Sequence, residues 1–385
     1  MKIVIAPDSF KESLTALEAA NAIEQGFRQI FPNADYVKLP MADGGEGTVE
    51  SLVAATNGSI IETIVTGPLG EPVKAFFGWL GDGTTVVIEM AAASGIHLVP
   101  ADYRNPLVTT TRGTGELILA ALDLGVSRLI IGLGGSATND GGAGMIQALG
   151  GKLLDRYGAE IGHGGGALAE LASIDLKNVD PRLRNIQIEV ACDVNNPLTG
   201  LTGASAVYGP QKGATPEMVN QLEHNLAHFA EIYESTLQKS VRDIPGAGAA
   251  GGMGAALMAF LSADLKPGVD IVLETVHFDN IVKEADLVIT GEGRIDAQTI
   301  YGKTPIGVAR ASKKYGIPVF ALAGSISPDS DIVLRHGIDA LFSIVPGVVT
   351  LPEAFEHASI NMKQTARNIA AVLKFSTYNY FRYCE

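Results

Sequence analysis

Short apolar runs, polar loops rich in glycine, and apolar stripes at helical spacing follow one another along the chain. Lys2-Ile-Val-Ile-Ala6 is a β-rich run that stops at Pro7-Asp-Ser-Phe-Lys11. Ala16, Ala20, Ile23, Phe27 and Ile30 then step by four and three, which is one face of a helix. Thr15 and Glu18 have capping-box spacing at its start, and Pro32 and Asn33 end it. Residues 36–40 read as a second strand, and the helix after 41–48 closes at Asn57-Gly58. Strand, loop and helix in this order predict a parallel α/β sheet.

From Ile60 the rhythm changes. Residues 61–65, 73–79 and 85–90 predict strands joined by turns at Gly67-Pro68, Gly70 and Gly81-Asp-Gly83, a hairpin-like spacing that belongs to a different sheet. Residues 91–95 and 109–115 read as small-residue loops, and a helix at 116–124 ends at Gly125. Residues 129–133 are an apolar run that reads as a buried strand, and 186–190 read as another strand. Thr215-Pro216 opens a helix with Leu222, Leu226, Phe229 and Tyr233 on one face. The doubly wound rhythm returns at Ala285, with strands at 286–290, 318–323 and 340–345 and helices at 304–315, up to His336 and at 353–373. The pattern predicts a doubly wound α/β domain made from both chain ends, 1–60 and 285–375. A second α/β domain of different type, 61–284, is inserted between them. Residues 376–385 follow the natural end of a helix and are expected to be a poorly ordered appendage.

Composition narrows the class. At 385 residues two domains are favoured over one. A net charge of −14 argues against nucleic acid, whose backbone is bound by clustered Lys and Arg. The two cysteines, Cys192 and Cys384, allow no disulfide framework or zinc pattern. No signal-peptide layout and no membrane-length apolar run is present, so a cytoplasmic protein is expected. Glycine, 45 of 385 residues, is roughly 12% against a typical ~7%, and it clusters after the apolar runs.

Those clusters carry the candidate chemistry. Ligands of open α/β sheets bind beyond the carboxyl ends of strands. The loops expected there hold Asp8, Ser9 and Lys11; Asp43, Gly44, Gly45, Glu46 and Gly47; Gly134, Gly135, Ser136, Thr138, Asn139 and Asp140; Cys192 and Asp193; and Gly291, Glu292, Gly293, Arg294 and Asp296. Exposed amides of glycine loops make anion cradles, and 134–142 is the fullest of them. Amides, a few cations and carboxylates able to hold Mg²⁺ are what phosphoryl transfer requires. The bland alternative is a set of Asp/Gly turns and helix caps. Gly302-Lys303-Thr304 is no Walker loop, because position 297 is Ala and no strand precedes it. Gly246-Ala-Gly-Ala-Ala-Gly251 has dinucleotide spacing without its strand. His224 and His228 lack the intervening Glu of a zinc-protease motif, and Ser136 is not in a nucleophile elbow.

In sequence order, the motifs Ile5-Ala-Pro-Asp-Ser-Phe-Lys-Glu-Ser13, Ala42-Asp-Gly-Gly-Glu-Gly-Thr48, Glu89-Met-Ala-Ala-Ala-Ser-Gly95, Thr111-Arg-Gly-Thr-Gly-Glu116, Gly134-Gly-Ser-Ala-Thr-Asn-Asp-Gly-Gly142, Gly209-Pro-Gln-Lys-Gly213, Pro245-Gly-Ala-Gly-Ala-Ala-Gly-Gly-Met-Gly254 and Thr290-Gly-Glu-Gly-Arg-Ile-Asp296 resemble those of the bacterial glycerate kinases that make 2-phosphoglycerate. The resemblance runs from Met1 to Phe375. It implies a flavodoxin-like domain with an inserted α/β domain, an active site in the cleft between them, and ATP-dependent phosphorylation of D-glycerate at the 2-hydroxyl with Mg²⁺. On that reading Lys11 and Arg294 neutralise phosphate or carboxylate charge. Asp193 and Asp296 serve as metal ligands and proton acceptor, with Asp8, Asp43 and Asp140 in reserve. The remaining residues of the glycine loops bind substrate or nucleotide. Small-molecule substrates, no nucleic acid or membrane partner, and a monomer or homodimer are expected. The rival readings are a nicotinamide-dependent oxidoreductase of a small hydroxy acid and a non-catalytic two-lobed binding protein for small acids.

Overall fold

The computed structural model describes residues 1–380; Cys384 and the last part of the expected appendage, 381–385, lie outside the described residues. Its strands, in chain order, are β1 (Lys2–Pro7), β2 (Asp35–Lys38), β3 (Ser59–Thr66), β4 (Pro72–Trp79), β5 (Thr85–Glu89), β6 (Arg128–Gly132), β7 (Lys152–Leu154), β8 (Ser173–Asp175), β9 (Gln187–Ala191), β10 (Asp264–Lys266), β11 (Leu287–Ile295), β12 (Val319–Ile326) and β13 (Ala340–Ser343). The chain forms two units. One takes Met1–Asp43, Glu50–Thr56 and the chain from Val269 on; the other takes Gly44–Val49 and Asn57–Gly268.

The sheet of the first unit has the order β13-β12-β11-β1-β2, and every neighbouring pair is parallel. Counted among its own strands this is 2-1-3-4-5, with the order reversing between β1 and β11. Parallel sheets are covered on both faces, so their strands are apolar throughout and do not alternate. β1 behaves this way, buried from Ile3 to Pro7. Ile3, Ile5 and Ile289 pack with Ile23 and Phe27 of helix Ala16–Arg28 and with Met362 and Ala366 of helix Ala358–Tyr380. Thr15 accepts from Glu18 N, and the Glu18 carboxylate accepts from Thr15 N, so the predicted capping box forms. The last helix continues through 376–380, part of the stretch expected to be disordered.

The second unit holds a mixed sheet, β10-β9-β6-β5-β4-β3, and a hairpin of β7 and β8. β3, β4 and β5 form the antiparallel meander that the turn spacing predicts, and β5, β6, β9 and β10 run parallel. The core joins Val86, Ile88, Leu129, Ile131 and Val190 to helices Arg112–Leu122 and Ala249–Leu261. The stripe of helix Pro216–Leu237 buries Leu222, Leu226, Phe229 and Tyr233 as predicted.

The sequence reading departs from the structure where glycine stands for close packing instead of a turn. Residues 291–295 read as a loop but continue β11, paired with β12 as far as Ile326. A Cβ on Gly291 would lie 2.3 Å from Leu322 O, so the neighbouring strand requires glycine there. Helix Arg112–Leu122 likewise starts inside the expected loop 109–115, because a Cβ on Gly113 would lie 2.0 Å from Thr66 O.

Candidate active site

In the first unit, Asp8 follows β1 at the carboxyl edge of the sheet, and its amide donates to Gly291 O at 2.8 Å. The chain leaving β1 is thereby held to β11 where the strand order reverses. The Asp8 carboxylate accepts from Ser9 N at 2.6 Å and from Thr304 Oγ1 at 2.5 Å. Burial and then the negative charge of Asp43 push its carboxyl up to about 7, and Glu292 adds to this. Glu292, the residue after Gly291 on β11, is also raised, first by burial and further by Asp43. It accepts from Thr299 Oγ1 at 2.9 Å and has Lys303 Nζ at 3.5 Å. Three carboxylates therefore crowd at the switch point of the sheet. Lys303 and Thr304 come from the triplet discounted as a Walker loop; it has no such geometry, yet it supplies partners to two of the acids.

Arg294 is exposed along β11, with Nε 3.2 Å from Asp296 and a longer contact to Ser327 Oγ. Asp296 caps the short helix Ala297–Ile300 by accepting from Gln298 N at 2.9 Å. Both of its oxygens are thus engaged. Lys11 is exposed just after the buried Phe10.

In the second unit the two richest glycine loops come together. A Cβ on Gly44 would lie 2.4 Å from Ala191 Cβ, and one on Gly132 would lie 2.5 Å from Gly44 O. Gly44 therefore lies against the carboxyl ends of β6 and β9. Asp193, just beyond β9, is exposed and accepts from Gly268 N at 3.0 Å. After β6 the loop is tied to its neighbour by Ile96 N donating to Gly135 O and Ala137 N to Ser94 O. The amides of Gly134, Gly135 and Ser136 donate to no acceptor among the described residues, as an anion cradle requires.

Below that edge, Thr138, Asn139 and Asp140 are fully buried. The Asp140 carboxylate accepts from Thr111 N (2.9 Å), Thr111 Oγ1 (2.8 Å), Gly142 N and Gly144 N (both 3.2 Å). Burial raises its carboxyl against the pull of those donors. It staples the loop to the start of helix Arg112–Leu122. Lys212, in the Gly209–Gly213 motif, was not singled out as a site residue from sequence; it is buried, and its Nζ donates to Thr138 O at 2.6 Å. His224 and His228 bond to backbone carbonyls, as ordinary helix residues do.

Among the described residues no three His, Cys, Asp or Glu side chains form a metal cage, and no helix is long and apolar enough to cross a membrane. A model of the glycerate kinase family matches residues 3–374. The chain is 70% identical over 376 residues to a Bacillus subtilis glycerate kinase, covering 98% of each. It is 59% identical over 379 residues to the glycerate 2-kinase of Escherichia coli K12, covering 98% of this chain and all of that one. The structure of a Salmonella typhimurium LT2 protein described there as a putative glycerate kinase 2 matches with a TM-score of 0.91 at 57% identity, covering 98% of this chain and 99% of that one.

Proposed function

The chain belongs to the glycerate kinase family and is a kinase, and we propose that it transfers the γ-phosphoryl group of ATP to the 2-hydroxyl of D-glycerate. The observation that carries the site is the group Asp8, Asp43 and Glu292 at the switch point between β1 and β11. Buried carboxylates that face the negative charge of a neighbour, as Asp8 and Glu292 face Asp43, are kept where charge is to be met by a ligand. The relatives' names support glycerate as acceptor, and the E. coli name supports the 2-position. The strand order 2-1-3-4-5 supports a flavodoxin-like assignment for the first unit.

Mg²⁺ takes one or two carboxylates together with phosphate oxygens and water, so it needs no protein cage. Asp8 and Asp43 fit that mode, being hard oxygen donors crowded with like charge. They would hold the ion in place of Asp296, whose charge is already met by Arg294, whereas Asp8 faces the like charge of Asp43 and Glu292. When bound, the ion neutralises charge on the β- and γ-phosphates. Arg294, oriented by Asp296, and Lys11 bind anionic oxygens of the substrates. The amides of Gly134, Gly135 and Ser136 receive others. Asp193, exposed beyond β9, takes the proton from the glycerate hydroxyl. The bond from that oxygen to phosphorus forms as the bond to the ADP oxygen breaks, with the reacting atoms in line.

Incubation with ATP, Mg²⁺ and D-glycerate tests the reading, with ADP release followed and the product examined by phosphorus NMR. The expected result is stoichiometric ADP and a phosphorus resonance coupled to the C2 proton. A product coupled to the C3 protons overturns the regiochemistry, and no glycerate-dependent ADP overturns the substrate.

A further inference from the structure

The buried side of the 134–142 loop is more elaborate than an ordinary turn. Thr138 O takes the Nζ of Lys212 from one direction. From another it meets Gly251, where a Cβ would lie 2.0 Å from that same oxygen. Gly251 belongs to three successive left-handed residues, Ala250 (φ 51°), Gly251 (φ 67°) and Gly252 (φ 94°), set into helix Ala249–Leu261. A left-handed alanine costs roughly 1–2 kcal/mol, and such strain persists where the surroundings over-determine it, typically at functional sites. The turn also accepts from Gly141 N through Gly251 O at 3.0 Å. One carbonyl in the loop is therefore met from two sides, by Lys212 Nζ and by the backbone of Gly251.

Polar groups around it are buried and only partly satisfied. Thr138 Oγ1 and Asn139 Oδ1 have no hydrogen-bond partner, while Asn139 Nδ2 donates to Ser205 Oγ at 2.9 Å. Placing a lysine here is costly, since a buried amine gives up its hydration. A methionine of similar length would fill the space more cheaply. The lysine adds a directed bond to the loop backbone two residues beyond Ser136.

We propose that Lys212 is a positioning residue of the phosphoryl-transfer site: through Thr138 O it sets the direction of the Gly134–Ser136 amides, against the fixed stop of the left-handed turn at Ala250–Gly252. It acts on the substrates only through that backbone. The inference rests on the reading of this loop as an anion-binding edge.

The test compares the full-length wild type with Lys212→Met by steady-state kinetics and by amide hydrogen exchange. Wild-type turnover of D-glycerate tests the functional reading by itself; the ratio of variant to wild type tests Lys212. The expected result is a kcat lower by about a hundredfold, the order of a 1 Å misplacement, with both KM values within threefold. The amides of 137–141 exchange faster in the variant while those of β5 and β6 do not. Gly251→Ala, which pushes on the same oxygen from the other side, shows the same split. Should Lys212→Met not fold, Lys212→Gln, which retains a shorter donor, carries the same measurements. Unchanged exchange at 137–141, or faster exchange with kcat within threefold of wild type, overturns the proposal. So does a loss of activity that only follows the loss of folded protein.

Discussion

Asp8 and Asp140 are two acids withdrawn from water, one in each unit, and their surroundings differ in sign. Asp8 has two donors, Ser9 N and Thr304 Oγ1, and two negative neighbours, Asp43 and Glu292. Asp140 has four donors from Thr111, Gly142 and Gly144, which work against the effect of its burial. Burial raises both carboxyls. On the proposed function, the difference separates an acid that holds structure from one that meets a ligand. A carboxylate whose lone pairs are filled by backbone donors holds a loop in shape. A carboxylate set among like charges is waiting for a cation or a proton.

The largest effect that would break this contrast is on turnover. Asp8→Asn keeps both hydrogen bonds, because the Thr304 hydroxyl can accept from the new amide, yet it removes the charge. Turnover in the ADP-release assay should fall about a thousandfold, the scale of losing one preorganised electrostatic group. Activity within a few-fold of wild type would make Asp8 a turn residue. Asp193→Asn should cost about a hundredfold in kcat if it accepts the hydroxyl proton, and an unchanged kcat would move that task elsewhere. In the second unit, Asp140→Asn turns an amide donor toward N–H groups that already donate. Urea unfolding should show a loss of about 2–4 kcal/mol, the cost of disrupting a buried charged network.

The smallest effect sharpens the comparison through Lys212. Burial lowers its amine from 10.5 to about 7, and Asp140 only partly restores it. Below pH 7 the folded and unfolded forms both carry the proton, and the burial cost is present in full. Between pH 7 and 10.5 the unfolded chain keeps a proton that the folded chain has lost, so stability rises with pH. The slope is at most about 1.4 kcal/mol per pH unit. Urea midpoints should rise from pH 7 to 9 in the wild type and stay flatter in Lys212→Met; parallel curves would mean that the amine keeps its ordinary affinity.

How much of this was legible in the sequence depends on what each residue does. Elements with their own period were readable: the capped stripe from Ala16 to Phe27, the apolar β1, and the face of helix Pro216–Leu237. Glycine was ambiguous, because Gly47 and Gly125 serve left-handed turns in open space while Gly113 and Gly291 serve close packing, and composition does not distinguish the two. Asp8, Asp43 and Glu292 were legible as strand-end acids, but their mutual repulsion depends on β1 lying beside β11, a pairing 284 residues apart along the chain. Lys212 was hidden for the same reason, since its partner Thr138 is 74 residues away.

The contrast between the two acids is tested most directly by thermal unfolding of Asp8→Asn and Asp140→Asn side by side at pH 8 in EDTA, with no nucleotide. Relief of the burial cost of the charge, and then of its repulsion by Asp43, should raise the Asp8→Asn midpoint above wild type. Loss of filled hydrogen bonds should lower that of Asp140→Asn. Midpoints that shift in the same direction would contradict the account.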